Sequence, residues 1–164
     1  MALQSKMTVY APLVGVFALM GGIFYYGNLD TVHIEQVEIE LINVELRDVS
    51  TIDDQAEFDV TFLVKNPSDK TFTVPLIEYQ LYGDGILLGS GEYSTVDIAM
   101  PGRAAFFPGV ELPLKNIFVL EKTEVNSEIY QDAIENKITS FSAEGSITAQ
   151  SSWMTIEKEF KTGY

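Results

Sequence analysis

Residues 57–92 read EFDVTFLVKNPSDKTFTVPLIEYQLYGDGILLGSGE. Phe58, Val60, Phe62 and Val64 are apolar, while Glu57, Asp59, Thr61 and Lys65 are polar. Side chains alternate faces along a strand, so this segment buries one face and wets the other. The run stops at Asn66-Pro67-Ser68-Asp69-Lys70, a cluster of turn-forming residues. A second apolar run follows, with Phe72, Val74, Leu76, Ile77, Tyr79 and Leu81. Pro75 interrupts it; lacking an N–H for the ladder, it marks a strand edge or a jog. Gly83-Asp84-Gly85 then reverses the chain into residues 86–91, and Asp84-Gly85 suits the positive backbone angles of a two-residue hairpin. That turn places Leu81 opposite Leu88 and Tyr82 opposite Leu87. The remaining strands are expected to cover this three-strand unit.

The order of these features resembles the group 2 late embryogenesis abundant proteins, also described by their water-stress and hypersensitive-response domain. Val64, Asn66, Pro67, Ser68, Tyr79, Leu81, Tyr82, Gly85, Gly89 and Gly91 carry the resemblance. Weaker agreement in element order extends over residues 37–162. The resemblance implies a small antiparallel β-sandwich of fibronectin type III character with one helix. It implies a link to desiccation, osmotic or other stress, no enzymatic activity, and no catalytic residue to carry over. It also suggests a membrane-anchored member of prokaryotic or archaeal type.

Composition narrows the chemistry. The 164 residues suffice for one domain plus an accessory segment, and none is cysteine. Disulfides, thiolate nucleophiles and Cys-ligated metals are thereby excluded. His33 is the lone histidine, which argues against a catalytic His pair or a multi-His metal site. The formal charge is −14, and all 24 acidic residues follow position 29. Such a balance repels nucleic acid and anionic lipid.

Between Lys6 and Asp30 lie 23 residues without a charge. As a helix they would span about 34 Å, against a hydrocarbon core of about 30 Å. Tyr10 lies near one end, and Tyr25 and Tyr26 near the other, as interfacial rings do. A cleaved signal peptide is the rival reading, but no Ala-x-Ala site precedes Asp30. The expectation is a short cytoplasmic end (1–7), a single transmembrane helix (8–29) and an extracytoplasmic domain (30–164). The amino end would lie inside and the domain outside the cytoplasmic membrane, because Lys6 precedes the helix and acids follow it. Ala11, Gly15, Ala18 and Gly22 fall on one stripe and would let another helix, of this chain or of a membrane subunit, approach closely.

Further along, Val37, Ile39 and Leu41 share one phase, and Ile42, Val44 and Leu46 another. Such a slip is what a bulge or a crossing between sheets produces. Asp48, Asp53, Asp54 and Glu57 lack a regular calcium-loop pattern and read as a solvated loop. Phe106-Phe107-Pro108-Gly109 reads as core beside a turn rather than an exposed aromatic tip. Residues 123–138 change period: Val125, Ile129 and Ala133, with Tyr130 and Ile134, recur as on an amphipathic helix, with Thr123 as its cap. Its stripe should cover an open end or edge of the sandwich. Phe141, Ala143, Gly145, Ile147 and Ala149 alternate again, and Met154, Ile156 and Phe160 give a last strand.

The fold class expected is thus all-β: an antiparallel fibronectin type III-like sandwich with one amphipathic helix, preceded by a transmembrane helix. No phosphate loop, nucleophile elbow or His-Glu-x-x-His is present. No catalytic, cofactor or metal site is expected. The leading reading is a non-enzymatic interaction or stress-protection module held on the lipid bilayer. The alternatives are an accessory subunit of a membrane complex and a carrier of lipid-like molecules between the sheets. A carrier requires a continuous cavity, which Phe58, Phe62, Tyr79, Leu81 and Leu88 would exclude if they fill the interior.

Overall fold

The alternation at Phe58, Val60, Phe62 and Val64 becomes an 11-residue strand, Gln55–Lys65 (β2), with all four residues buried. It belongs to a computed structural model that describes residues 10–25, 35–97, 102–152 and 154–164. The other strands are Glu38–Ser50 (β1), Phe72–Gly83 (β3), Ile86–Ser94 (β4), Ala105–Phe106 (β5), Glu111–Glu121 (β6), Phe141–Gln150 (β7) and Thr155–Gly163 (β8). Residues 10–25 form helix α1, and Ser127–Ile134 form helix α2.

The strands make two antiparallel sheets. One has the order β1-β2-β6 and the other β4-β3-β7-β8, with β5 added beside β3. The expected three-strand unit is therefore divided. The loop after Lys65 carries the chain from one sheet to the other, so β2 faces the β3–β4 hairpin across the core. Phe58, Phe62, Val64, Ile77, Leu81, Phe118 and Ile147, each at most 2% exposed, close that core. Edge-to-face contacts of Phe62 with Tyr79 and Phe160, at 4.9 and 5.8 Å, join the two layers.

The hairpin turns on positive angles at Asp84 (φ 47°) and Gly85 (φ 82°), as the sequence requires. Tyr82 pairs with Leu87 as expected, but Leu81 pairs with Gly89 rather than with Leu88. A bulge at Leu88 is responsible. It keeps Leu88 directed inward while Gly89 lies against the Phe118 ring. The phase slip in β1 is also a bulge, between Leu41 and Asn43, and it returns Val44 and Leu46 to the core that holds Val37, Ile39 and Leu41. Pro75 sits where β3 shifts register against β7, between Thr73 and Leu76. Phe106 is fully buried and stacks on Phe72 at 5.5 Å, whereas Phe107 is exposed.

Helix α2 is shorter than expected. Its N-cap is Asn126, and Thr123 instead exchanges hydrogen bonds with Asn126 in the preceding turn. Ile129, Tyr130 and Ala133 are buried, and the helix packs on β1 and β4, one strand from each sheet, so it covers an open end. Val125 does not join the stripe; it precedes the helix and is 98% exposed.

The transmembrane expectation is corrected. Helix α1 comprises 16 described residues, about 24 Å of helix, against a hydrocarbon core of about 30 Å. No helix among the described residues is long and apolar enough to cross a membrane. The single-pass topology over 8–29 and the location of the domain outside a cytoplasmic membrane lose their basis with it. His33, Tyr26, Met100, Pro101 and Trp153 lie outside the described residues.

Candidate functional site

Asn66 is the most deeply buried polar residue among those described, at 1% exposure. Its side-chain Nδ2 donates to the carbonyls of Lys70 and Phe106, both at 2.7 Å. Its Oδ1 accepts from the Ser68 N–H at 3.0 Å and the Ser68 Oγ at 2.6 Å. Its backbone N–H donates to Val110 O, and its carbonyl accepts from the Gly109 N–H. Every donor and acceptor of the residue is used inside the protein. Asn66, Pro67 and Ser68 thus form a structural knot joining the loop after β2 to the β5–β6 connection.

Tyr79, the next motif residue, lies across the interior of the second sheet. Its row reads Gly91, Tyr79, Gly145, Phe160 across β4, β3, β7 and β8. A Cβ at Gly91 would overlap the Tyr79 ring, and one at Gly145 would overlap the Glu78 carbonyl oxygen. The glycines exist to admit the ring and the neighbouring backbone. The Tyr79 hydroxyl accepts a hydrogen bond from Asn116 Nδ2 at 2.8 Å. Burial pushes its pKa up to about 12, with the Asn116 bond acting in the other direction. Leu81 is fully buried, Tyr82 lies outward and bonds Gln80, and Gly85 serves the turn. The motif residues are therefore accounted for by folding.

The opposite face of the same sheet has another character. The row behind runs Glu92, Glu78, Ser146, Glu159, and the next runs Ser90, Gln80, Glu144, Lys161. With Glu157 they line a broad, open trough of about 1030 Å³. Lys161, the one cation of this lining, is bound to Glu144. Alternation along each strand shows that these residues point outward. The sheet order that assembles five glutamates on one face was not legible, because β7 inserts beside β3 from far along the chain.

Elsewhere the ionisable groups serve the surface. Asp53 accepts from Ser50, Asp54 pairs with Lys122, and Glu57 lies 4.0 Å from Arg47, so these acids do not converge. Among the described residues no group of His, Asp and Glu is placed to hold a metal ion. Ala11, Gly15, Ala18 and Gly22 all lie in α1, and no described heavy atom outside the helix lies within 4 Å of where a Cβ would stand at Gly15 or Gly22. The interior residues named against a carrier, Phe58, Phe62, Tyr79, Leu81 and Leu88, are all buried. A smaller cleft of about 390 Å³ remains at one end, between β1, the start of β7 and the segment after α2.

The comparisons with known proteins follow the architecture. No family model matches the chain, and no curated protein does. Solved structures do. The solution structure of an Arabidopsis thaliana protein matches with a TM-score of 0.51 and 16% identity, over 77% of this chain and 80% of that one. A crystal structure of an Archaeoglobus fulgidus protein matches at 0.45 and 16%, over 76% and 96%. A protein provisionally described as late embryogenesis abundant matches at 0.42 and 14%, over 98% and 88%. The Arabidopsis likeness shows a shared fold, the two-sheet sandwich with its short helix.

Proposed function

We propose that this chain is a non-enzymatic protective module that acts through its acidic surface when water is scarce. The observation that carries the reading is the trough of Glu78, Glu92, Glu144, Glu157 and Glu159 on the outer face of the second sheet. Carboxylates at that density hold water and counter-ions and keep neighbouring macromolecules apart as the solution concentrates. The interior supports the same reading. Its buried polar residues are Thr61, Asn66, Ser68 and Thr73, and no carboxylate, ammonium or guanidinium is buried among the described residues. The resemblance of the Asn66–Gly91 stretch to group 2 late embryogenesis abundant proteins supports the link to water stress. An accessory subunit held in a membrane has no support among the described residues.

The test is a drying assay. A labile enzyme is dried and rehydrated with this protein or with an equal mass of serum albumin. Residual activity should be several-fold higher with this protein. Replacing the five glutamates by glutamine should bring it down to the albumin level while the circular dichroism stays that of a β-sandwich. Protection no better than albumin would remove the proposal.

A further inference from the structure

We infer that the cleft at the α2 end of the sandwich binds a neutral amphiphile, an aliphatic alcohol or amide with on the order of a dozen heavy atoms at about 30 Å³ each. This goes beyond the surface role, since it concerns a different part of the molecule. On this side of the sandwich the edges of β1 and β8 are pinned together. The Leu41 N–H donates to Thr162 Oγ1 at 3.1 Å, and Lys158 Nζ donates to Val37 O at 2.7 Å. Beyond Thr162 the cleft of about 390 Å³ separates Val44 and Leu46 of β1 from Phe141 and Tyr164. That volume lies within the range of small-molecule sites.

The polarity of the cleft is graded. Val44, Phe58 and Ala133 are buried at its inner end, while Asn136, Thr139 and Tyr164 are exposed at its mouth. An apolar tail therefore fits inward, with a hydroxyl or amide head at the Asn136 amide, the Tyr164 hydroxyl and the Thr139 hydroxyl oxygen, which donates its own proton to Asp84 and is left to accept. The segment that forms the mouth is held in place. Asp84 accepts from the N–H groups of Thr139 and Ser140, and Ile138 lies against Gly83.

Charge selects the head group. Among the described residues, no carboxylate, ammonium or guanidinium side chain lines the cleft. Lys137, the nearest cation in sequence, is engaged by Asp132 and by Glu135 at 3.7 and 2.5 Å. An anionic head would meet no partner and a net charge of −14, and a cationic head would find the Asp84 carboxylate beside Thr139 already accepting from the N–H and hydroxyl of both Thr139 and Ser140.

The experiment is nuclear magnetic resonance on the full ¹⁵N-labelled chain, titrated in turn with 1-decanol, decanoate and decylamine. 1-Decanol should give saturable shifts at the amides of Val44, Leu46, Ile138, Thr139 and Phe141. The two charged analogues should bind at least tenfold more weakly. Leu46→Trp, which fills the cleft, should abolish the 1-decanol shifts. If that variant does not fold, Thr139→Trp at the exposed mouth carries the same expectation. The inference is overturned if shifts are confined to residues 10–25, if the charged analogues bind equally well, or if a folded tryptophan variant binds 1-decanol as the parent does.

Discussion

At the scale of single residues, the sequence motif and the physical need coincide. Asn66 was legible as a turn residue after a strand, but its role as a knot was not, because its partners Phe106 and Val110 lie some forty residues away. Asn66→Ala would remove the side-chain donor to the buried Phe106 carbonyl and the acceptor of the Ser68 N–H and hydroxyl, although Ser68 Oγ keeps its contact with the Lys70 carbonyl. At about 1–3 kcal/mol for an unsatisfied buried group, a loss near 3 kcal/mol is expected in urea unfolding. A loss under 1 kcal/mol would mean that water replaces the side chain. Gly145→Ala should cost more than Gly91→Ala, since the first meets backbone and the second a side-chain ring, with a cost of about 3 kcal/mol for Gly145. Asp84 supplies a pH test. The Thr139 side-chain hydroxyl and N–H, with Ser140, hold its carboxyl below the ordinary value of 3.8. Because the folded pKa is depressed, the stabilisation is present above the unfolded pKa and is lost as pH falls through the folded one. Asp84→Asn should therefore be less stable than the parent at pH 7, and the difference should close below about pH 4. A gap that stays constant down to pH 2.5 would show that the charge is irrelevant.

Among the elements, strands were the most legible because two-residue alternation survives in each. β2, β7 and the bulge in β1 were visible as apolar positions and a slip in phase. Apart from the β3–β4 hairpin, the pairing of strands was not visible. Nothing local in residues 57–92 indicates that the chain changes sheets at Asn66-Pro67, since both flanking strands bury apolar residues on the core side. The helix boundaries erred for a related reason. Thr123, Asn126 and Glu121 satisfy one another in a turn, and this delays the start of α2 by several residues. The apolar segment over α1 was read by length, and the described helix falls short of that length. The residues of α1 are exposed apart from partial cover at Gly22, and none of them belongs to the hydrophobic core of the sandwich. A chain beginning at Glu35 should unfold within about 3 °C of the full chain, as expected for changes that leave the core untouched. A drop beyond about 8 °C, roughly 2 kcal/mol or more for a domain of this size, would show that the removed segment stabilises the sandwich.

For the whole molecule, excess negative charge is the dominant property that composition alone discloses. The described ion pairs are few and on the surface: Lys65–Glu40 at 2.9 Å, Lys137–Glu135, Lys161–Glu144 and the weaker contacts of Arg47 and Lys122. Exposed pairs of this kind contribute about 0–1 kcal/mol each. They work against the mutual repulsion of 24 acids countered by ten basic residues. The glutamate trough concentrates that repulsion on one face, with Glu78 directly opposite Glu92. Like charges facing each other across a strand pair destabilise it. Salt distinguishes the two contributions, since it screens attraction and repulsion alike and the larger must decide the sign. If repulsion dominates, raising sodium chloride from about 20 to 300 mM, which shortens the screening length to well under 10 Å, should raise the unfolding temperature by several degrees. The quintuple Glu→Gln variant should begin at a higher temperature and respond less to salt, because its trough no longer repels itself. A fall in unfolding temperature with salt would mean that the ion pairs outweigh the repulsion and that the acidic face carries little internal strain.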